Sequence, residues 1–349
     1  MSKNVHCKST FLAYVLLCGG YHMNKTIVTG ATGFLGLQII KELVRQKTDV
    51  LAFVFRGEST GSLEKLGVPF VFGDITEKNC LDGIVQEGDR VIHSAGFVSI
   101  ARHDREKVWE VNYQGTKNVL ESSIKNRAKS FVYVSSVHAF PVWNGTICEK
   151  DFAPPIDLRK KKDAYEMSKE KASELVIKNN GNGISTSVIF PSGLVGPGDE
   201  KDGEVTTFIN TILRKKFRFY VSGGYEFCDV RDVAKATILA IDRPGEIYIV
   251  SSGFISIKEI IEIVQEAAGF HQHLFRVPRF LAWILAFFAS PFQHLRKRKP
   301  LLTFYSLRVT ASTPFFLTTK AKNELNFSAT PLATSLKEET AYLLRLNQE

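Results

Sequence analysis

The sequence has few cysteines and lacks an apolar run that could cross a bilayer. It contains only five cysteines: Cys7, Cys18, Cys80, Cys148 and Cys228. Their odd number and wide separation argue against a disulfide framework, and their spacing is not that of metal ligands. We therefore expect a cytoplasmic protein without a metal site, since unpaired cysteines are typical of a reducing compartment. The apolar stretch at residues 280–292 is shorter than the roughly 20 residues that a transmembrane helix needs.

Acidic residues are also in deficit, which gives the 349-residue chain a formal net charge of +9. Much of the excess lies in short basic runs at residues 159–162, 214–216 and 296–299. Such runs are usually solvated faces, but they can also attract phosphates or an anionic membrane surface. Two interpretations of residues 280–299 stay open: a core or substrate-lid helix, and an interfacial helix in peripheral contact with a membrane. Nothing in the sequence indicates a nucleic-acid partner.

The stretch TIVTGATGFLG, residues 26–36, joins a predicted strand to a predicted helix through three glycines. Gly30 allows the tight turn, Gly33 lets the backbone approach a pyrophosphate, and Gly36 lets the helix pack close to the strand. The helix N-terminus adds free N–H groups and a partial positive charge. LQIIKELVRQ and DVLAFVF follow, with helical spacing and then a buried apolar run. The sequence therefore predicts a β–α–β unit that binds a dinucleotide.

Buried strands continue to alternate with helices along the chain. Further strands are predicted in VPFVFGD, RVIHSAG, SFVYVSS, ISTSVIF and EIYIV, with helices near residues 104–126 and 163–179. This alternation is typical of an α/β fold with a Rossmann-type doubly wound parallel sheet, whose ligand lies beyond the carboxyl ends of the strands. We expect the Rossmann domain at residues 23–192. Residues 193–349 are expected to form a smaller, mainly substrate-binding lobe, with a late strand and helices returning to the main domain.

The first 22 residues do not fit this organisation. Residues 11–18 are apolar and follow two lysines, as in a signal peptide, but no convincing cleavage site follows them. Met23 stands three residues before the first predicted strand, where a dinucleotide-binding domain normally begins. We therefore predict that residues 1–22 are a misassigned extension and that the native protein starts at Met23.

The end of the second predicted strand indicates which dinucleotide is bound. An acidic residue there would accept hydrogen bonds from the ribose hydroxyls of NAD, but this strand ends in Phe55 and Arg56. An arginine at this place can bind a 2′-phosphate. The sequence therefore favours NADP(H) over NAD(H), with a solvated strand end as the alternative role for Arg56.

Tyr165 and Lys169 form a Tyr-x-x-x-Lys pair, which a helix places on one face. A lysine charge would lower the pKa of the tyrosine, so that the phenol could exchange a proton near neutral pH. Two other tyrosines, Tyr21 and Tyr113, also have a lysine four residues on. Only Tyr165 opens the helix after the fifth strand, whose end carries Ser135 and Ser136. We therefore predict that Tyr165, Lys169 and a serine hydroxyl meet in one cleft.

Together, these motifs resemble the extended short-chain dehydrogenase/reductase superfamily. The resemblance rests on TGATGFLG, GD at residues 73–74, HSAG, VNYQGTKNVL, YVSS, YEMSK and FPSGLVGPGD, and it runs from about Met23 to the C-terminus. The sequence is most similar in character to the dihydroflavonol reductase and 3β-hydroxysteroid dehydrogenase branches, alongside the NAD-dependent epimerases and dehydratases. The motifs are specific for the superfamily and not for a substrate.

The resemblance implies roles for individual residues. Ser136 would polarise the substrate carbonyl, and Tyr165 would be the general acid in reduction or the general base in oxidation. Lys169 would tune Tyr165 and hold the nicotinamide ribose, while Asn112 would support the helix and a proton-relay water. The residues expected along the cofactor, which include the glycine turn and Arg56, are Gly30, Thr32, Gly33, Phe34, Leu35, Gly36, Arg56, Asp74, Ile75, Ala95, Gly96, Lys169, Pro191 and Ser192. His138 is either a substrate contact or a structural histidine.

The loops expected to select the substrate are apolar. They include Phe97, Val98, residues 140–143, Phe152 and residues 280–292. We therefore expect an NAD(P)-dependent oxidoreductase of a hydrophobic ketone or secondary alcohol, such as a steroid-, flavonoid- or keto-lipid-like compound. One alternative is a nucleotide-sugar epimerase or dehydratase with tightly bound NAD, and another is a non-catalytic nucleotide-binding sensor or scaffold. A diphosphate in the first alternative could be held by Arg214, Lys215, Lys216, Arg218 and Arg231. The resemblance also implies a homodimer.

Overall fold

A computed structural model describes most of the chain, namely residues 24–99, 101–140, 145–152, 163–215, 218–289 and 314–347. Several sequence predictions lie outside the described residues. These are the N-terminal extension at 1–22, the basic runs at 159–162 and 296–299, Lys216, and residues 141–143 and 290–292 of the apolar loops.

The described residues contain fourteen strands and eleven α-helices of very different lengths. In chain order the strands are β1 Thr26–Thr29, β2 Val50–Phe55, β3 Phe70–Gly73, β4 Arg90–His93, β5 Ser130–Val134, β6 Gly145–Ile147, β7 Ser185–Pro191, β8 Gly193–Val195, β9 Phe219–Val221, β10 Gly224–Asp229, β11 Ile247–Val250, β12 Gly253–Ser256, β13 Phe275–Val277 and β14 Pro314–Phe316. The α-helices are α1 Phe34–Arg45, α2 Gly61–Lys65, α3 Arg105–Trp109, α4 Thr116–Lys125, α5 Ala164–Lys178, α6 Glu204–Leu213, α7 Val230–Leu239, α8 Ile257–Ala267, α9 Arg279–Ala289, α10 Thr319–Leu325 and α11 Leu332–Leu346.

Seven of the strands form one parallel sheet in the order β3-β2-β1-β4-β5-β7-β11. The strands are apolar on both faces because helices cover both sides of the sheet. Ile27 and Val28 are neighbours on β1, yet they belong to cores on opposite faces. Helices α1 and α7 contribute to the core around Val28, and α4 and α5 to the core around Ile27. The predicted doubly wound Rossmann-type fold is confirmed.

A second sheet follows directly after the carboxyl end of β7. Strand β10 lies between β8, to which it is parallel, and β12, to which it is antiparallel. Val195, Phe227 and Ile261 pack with residues of α6, α8 and α11 into a separate core. This position sets the second sheet beside the edge of the central sheet where the sequence predicts the ligand.

The predicted helix at residues 104–126 is interrupted by a π-helical segment, Glu110–Gly115, between α3 and α4. A π-helix has one more residue in each hydrogen-bonded turn than an α-helix and often marks a functional site. Asn112 lies in this segment and is almost fully buried. Helical periodicity predicts that a helix is present here, but it does not predict this local change of pitch.

Helix α9 carries the described part of the apolar stretch, and it is only 11 residues long. Ala282 is buried, whereas Phe280, Trp283 and Ile284 are exposed. Within the parts of the chain that the structure describes, no helix combines the length and the apolar character needed to span a bilayer.

Candidate active site

The glycine turn is built by close backbone contacts. Gly30 has φ +69°, in the left-handed region that favours glycine. A Cβ atom on Gly36 would lie only 2.0 Å from the carbonyl oxygen of Gly30, so that position admits no side chain. Helix α1 begins at Phe34, directly after the turn. Its first N–H groups have no acceptor within the helix, and the helix dipole makes this end positive, so the turn is suited to bind an anion.

The other residues expected along the cofactor lie at or near the carboxyl ends of the strands. Asp74 accepts hydrogen bonds from the N–H and hydroxyl of Thr76, and Ile75 is buried beneath the same loop. The side chain of Ser192 is buried, and its hydroxyl has no hydrogen-bond partner among the residues that the structure describes. A buried hydroxyl without a partner is costly, so Ser192 fits a place where a bound group supplies the partner.

A carboxylate lies near the end of β2, although the strand itself ends without an acidic residue. Arg56 is exposed, and Glu58, two residues later, returns to the glycine turn and accepts a hydrogen bond from the hydroxyl of Thr32. Nζ of Lys201 lies 2.6 Å from Oε1 of Glu58 and 3.2 Å from Oγ1 of Thr32. No sequence motif points to Glu58 or Lys201. Only the tertiary fold brings them to the turn.

The structure separates the two serines at the end of β5. The hydroxyl of Ser135 lies 2.6 Å from that of Ser173 on α5. Ser136 instead lies close enough to Tyr165 to affect its pKa, and its hydroxyl accepts the N–H of His138 at 3.2 Å. The carboxylate of Asp163 caps α5 by accepting the N–H of Tyr165 at 2.8 Å, which fixes the start of the helix. Ser136 and Tyr165 are therefore brought together.

The pKa of Tyr165 is raised, not lowered as the tyrosine–lysine spacing predicts. Burial raises it to about 12, and the nearby Ser136 hydroxyl opposes the increase only in part. The carboxylates of Glu204 and Asp163 add to the increase in the pKa. The reason is that desolvation disfavours the charged phenolate more than its neighbours stabilise it. Tyr165 is thus protonated at neutral pH.

Lys169 lies on the strand side of the cleft. Its Nζ atom donates a hydrogen bond to the carbonyl oxygen of Val134 at 2.9 Å and lies 4.9 Å from the centre of the Tyr133 ring. Burial lowers the pKa of Lys169 to about 7, because desolvation disfavours the ammonium form. A Cβ on Gly96 would lie 3.5 Å from this Nζ atom, so the lysine also faces the loop expected along the cofactor.

Asn112 connects that loop to α5. Its Oδ1 accepts the N–H of Phe97 at 2.7 Å, and its Nδ2 donates to the carbonyl oxygen of Phe97 at 3.0 Å and to the hydroxyl of Ser168 at 3.2 Å. These bonds tie the loop at Phe97 to α5. The neighbouring His93 is fully buried, and burial lowers its pKa to about 3, so it is neutral.

A pocket lies beside the serine loop and the second sheet. His138, Tyr225, Phe227, Phe254 and Phe316 are among the side chains that line it. The ring of His138 also lies 6.1 Å from that of Tyr165, centre to centre, so the pocket adjoins the Tyr165 region. Glu226, another lining residue, is buried, and burial raises its pKa. The sequence analysis did not single out Glu226, since it stands within the apolar strand β10.

The sheet, the glycine turn and the tyrosine–lysine helix are those of an NAD(P)-dependent enzyme of the extended short-chain dehydrogenase/reductase class. The model of the 3-beta hydroxysteroid dehydrogenase/isomerase family matches residues 27–244, more than half of the chain. The chain belongs to this family.

Individual relatives span almost the whole chain. Sterol demethylase protein B of Methylococcus capsulatus is 26% identical over 326 residues, covering 91% of this chain and 97% of the relative. The decarboxylating sterol-4-alpha-carboxylate 3-dehydrogenase of Schizosaccharomyces pombe is 26% identical over 323 residues, covering 87% of this chain and 93% of the relative. The structure of WbmH from Bordetella bronchiseptica in complex with NAD⁺ is similar with a TM-score of 0.72 at 21% identity, over 93% of this chain and 99% of that chain. At that identity the structural likeness concerns the fold alone.

Proposed function

We propose that the protein is an NADP(H)-preferring oxidoreductase of a hydrophobic ketone or secondary alcohol. The observation that carries the proposal is the aromatic pocket beside Tyr165 and Ser136. Within the described residues, its lining includes no lysine or arginine. Such a pocket suits an apolar ring system or chain better than a diphosphate. The names of both relatives refer to sterols, which are hydrophobic ring compounds.

Two of the basic residues that could hold a nucleotide sugar, Arg231 and Lys215, have other contacts. Arg231 forms ion pairs with Asp229 at 2.7 Å and Glu338 at 2.6 Å. Nζ of Lys215 lies over the ring of Phe270, 5.0 Å from its centre. These contacts favour structural and surface roles, and they support the hydrophobic substrate over a nucleotide sugar.

The proposed chemistry assigns one task to each catalytic side chain. The bound nicotinamide supplies the hydride in reduction and accepts it in oxidation. Ser136 donates a hydrogen bond to the substrate oxygen, and Tyr165 gives its phenolic proton to that oxygen as the alcohol forms. Lys169 and Asn112 hold the cofactor-side loop and the helix in place. A phenol with a raised pKa is protonated at neutral pH and is ready to act as the acid in reduction.

Arg56 supports the preference for NADP(H). Its guanidinium is exposed and makes no ion pair with any residue in the described part of the chain. A guanidinium at the end of the second strand can form charge-assisted hydrogen bonds with a 2′-phosphate. The glycine turn and Ser192 would hold the pyrophosphate and the nicotinamide end.

A peripheral membrane contact is a further part of the proposal. The exposed side chains of Phe280, Trp283 and Ile284 on α9 support it, because interfacial helices bury such side chains at the headgroup boundary. Co-sedimentation with anionic vesicles tests it. The double variant Trp283→Ser, Ile284→Ser should lower the fraction of protein that sediments with the vesicles. An unchanged fraction would contradict the membrane contact.

The proposed function is tested with the purified protein after release of any nucleotide that it carries. NADPH and NADH are titrated by calorimetry, and NADPH consumption is then followed with a 3-ketosteroid, a dihydroflavonol, a long-chain keto ester and UDP-glucose. We expect exchangeable NADPH and turnover of at least one hydrophobic ketone. A protein that retains NAD and interconverts UDP-glucose without net NADPH consumption would be an epimerase instead.

A further inference from the structure

Thr32, Glu58 and Lys201 form one polar network against the glycine turn. The ammonium group of Lys201 donates to Oε1 of Glu58 at 2.6 Å and to the hydroxyl of Thr32 at 3.2 Å. That hydroxyl donates in turn to Oε2 of Glu58. Lys201 comes from the loop that joins β8 to α6, 143 residues away from Glu58. The second lobe thus places a cation on the carboxylate nearest to the predicted cofactor turn.

The loop that carries Lys201 is held in position by contacts on both sides. Nε2 of Gln38, on α1, donates to the carbonyl oxygen of Pro197 at 3.2 Å. The hydroxyl of Ser62, on α2, donates to Oε1 of Glu200 at 2.7 Å. The pairing of Lys201 with Glu58 is therefore part of a fixed connection between the loop and the cofactor-binding half.

The charge of Glu58 bears on cofactor choice. An acidic side chain after the second strand accepts hydrogen bonds from the ribose hydroxyls of NAD, and it repels the 2′-phosphate of NADP. Here both carboxylate oxygens are already bonded, one to Thr32 and one to Lys201. The positive charge of Lys201 offsets the negative charge of Glu58, whereas Arg56 is exposed and has no ion pair among the described residues.

We propose that Lys201 neutralises Glu58 and thereby allows the 2′-phosphate of NADP(H) to bind, so that the two residues together set the cofactor preference. This inference rests on the proposed use of NADP(H). It makes Lys201 a specificity residue that acts through Glu58, and it differs from a direct contact between Lys201 and a cofactor phosphate. The two roles can be distinguished by experiment. If Lys201 acts through Glu58, removal of Glu58 should make Lys201 dispensable for NADPH binding. If Lys201 contacts the phosphate directly, it should still be needed.

The experiment is a double-mutant cycle on cofactor binding. NADPH and NADH are titrated by fluorescence into the wild type, Lys201→Met, Glu58→Gln and the double variant. We expect Lys201→Met to weaken NADPH binding about tenfold or more while NADH binding changes little, because an unpaired carboxylate then faces the 2′-phosphate. In the double variant, NADPH affinity should return to within about threefold of that of Glu58→Gln.

Several outcomes would overturn the inference. One is a double variant that binds NADPH as weakly as Lys201→Met, which would indicate a direct phosphate contact. Others are equal weakening of both cofactors, or no weakening at all. Asp202→Asn is the matched control, since it removes a negative charge from the residue on the other side of Lys201 at an exposed position, where only the backbone carbonyl has a hydrogen bond to a described residue, and it should leave the ratio of affinities unchanged. If the wild type prefers NADH, the proposed NADP(H) use fails, but the coupling of Glu58 to Lys201 is still read from the same titrations.

Discussion

Lys169 and Val134 are joined by a 2.9 Å hydrogen bond from the lysine Nζ atom to the backbone carbonyl oxygen of the strand residue. This bond holds the lysine on the strand side of the cleft. Burial controls both side chains and has opposite effects on them: it raises the pKa of the phenol to about 12 and lowers that of the ammonium group to about 7. The arrangement favours proton donation by Tyr165.

The two reaction directions should therefore differ in their pH dependence. Reduction needs the protonated phenol. The reduction rate should therefore be highest below the pKa of Tyr165 and should decrease as the pH rises through that pKa. Oxidation needs the phenolate, so its rate increases with pH over the same range. Because Lys169 titrates near pH 7, we expect kcat/KM for reduction to be flat only above that range, from about pH 8.5 to about pH 10, while kcat/KM for oxidation rises. A reduction rate that falls steadily between pH 8.5 and pH 10 would contradict the assignment.

A buried carboxyl in the second lobe should make stability depend on pH. Glu339 is almost fully buried, and burial, with Asp199 and Asp229 nearby, raises its pKa to about 8 from the ordinary value of 4.5. A carboxyl whose pKa is higher in the folded chain stabilises the fold fully at a pH below its pKa in the unfolded chain. This stabilisation is lost as the pH rises through the pKa in the folded chain. The loss therefore spans pH 4.5 to about 8.

The variant Glu339→Gln tests this dependence because the amide has a similar shape and no charge. We expect the free energy of unfolding, measured with urea, to fall between pH 5 and pH 8 by at least about 1 kcal/mol more in the wild type than in the variant. One unit of pKa shift corresponds to about 1.4 kcal/mol. Glu262→Gln, at an exposed position on α8, is the control. Parallel pH profiles for the wild type and Glu339→Gln would exclude the effect.

Gly36 should tolerate no side chain. The Cβ of Gly36→Ala would lie 2.0 Å from the carbonyl oxygen of Gly30, so α1 would have to move away from the turn. We expect a loss of about 1–3 kcal/mol in the free energy of unfolding and much weaker NADPH binding. Gly61→Ala is the matched control, because its Cβ would meet only the Ser59 hydroxyl, at 3.8 Å. Similar stability and NADPH binding in the two variants would show that the turn can adjust.

The buried strands, the glycine turn and the helix of Tyr165 could be predicted because each depends on local spacing. Contiguous apolar residues indicate a parallel strand, and a tyrosine with a lysine four residues later places both side chains on one face of a helix. The cofactor end shows where this reasoning stops. Glu58 follows Arg56 by two residues, and its partner Lys201 is 143 residues away in the sequence. No local pattern connects them.

The protonation states of the site residues could also not be predicted from the sequence. A lysine four residues from a tyrosine suggests a lowered phenol pKa, but the direction of the shift depends on how deeply the fold buries both groups. Glu226 is a similar case, since its position in the pocket follows from the pairing of β10 with its neighbours. Burial and long-range contacts, which set the properties of a site, are features of the folded chain.

The most direct test of the proposed function is the effect of Tyr165→Phe on ketone reduction, measured with NADPH and the best hydrophobic ketone from the panel. Loss of the phenolic proton should lower kcat by at least about 100-fold, the usual contribution of general acid catalysis. The Kd for NADPH, measured on the same preparations, should change little because the phenol is not needed to hold the cofactor. A variant that binds NADPH normally and no longer reduces the ketone would support Tyr165 as the proton donor, whereas near-normal turnover would remove Tyr165 from the mechanism.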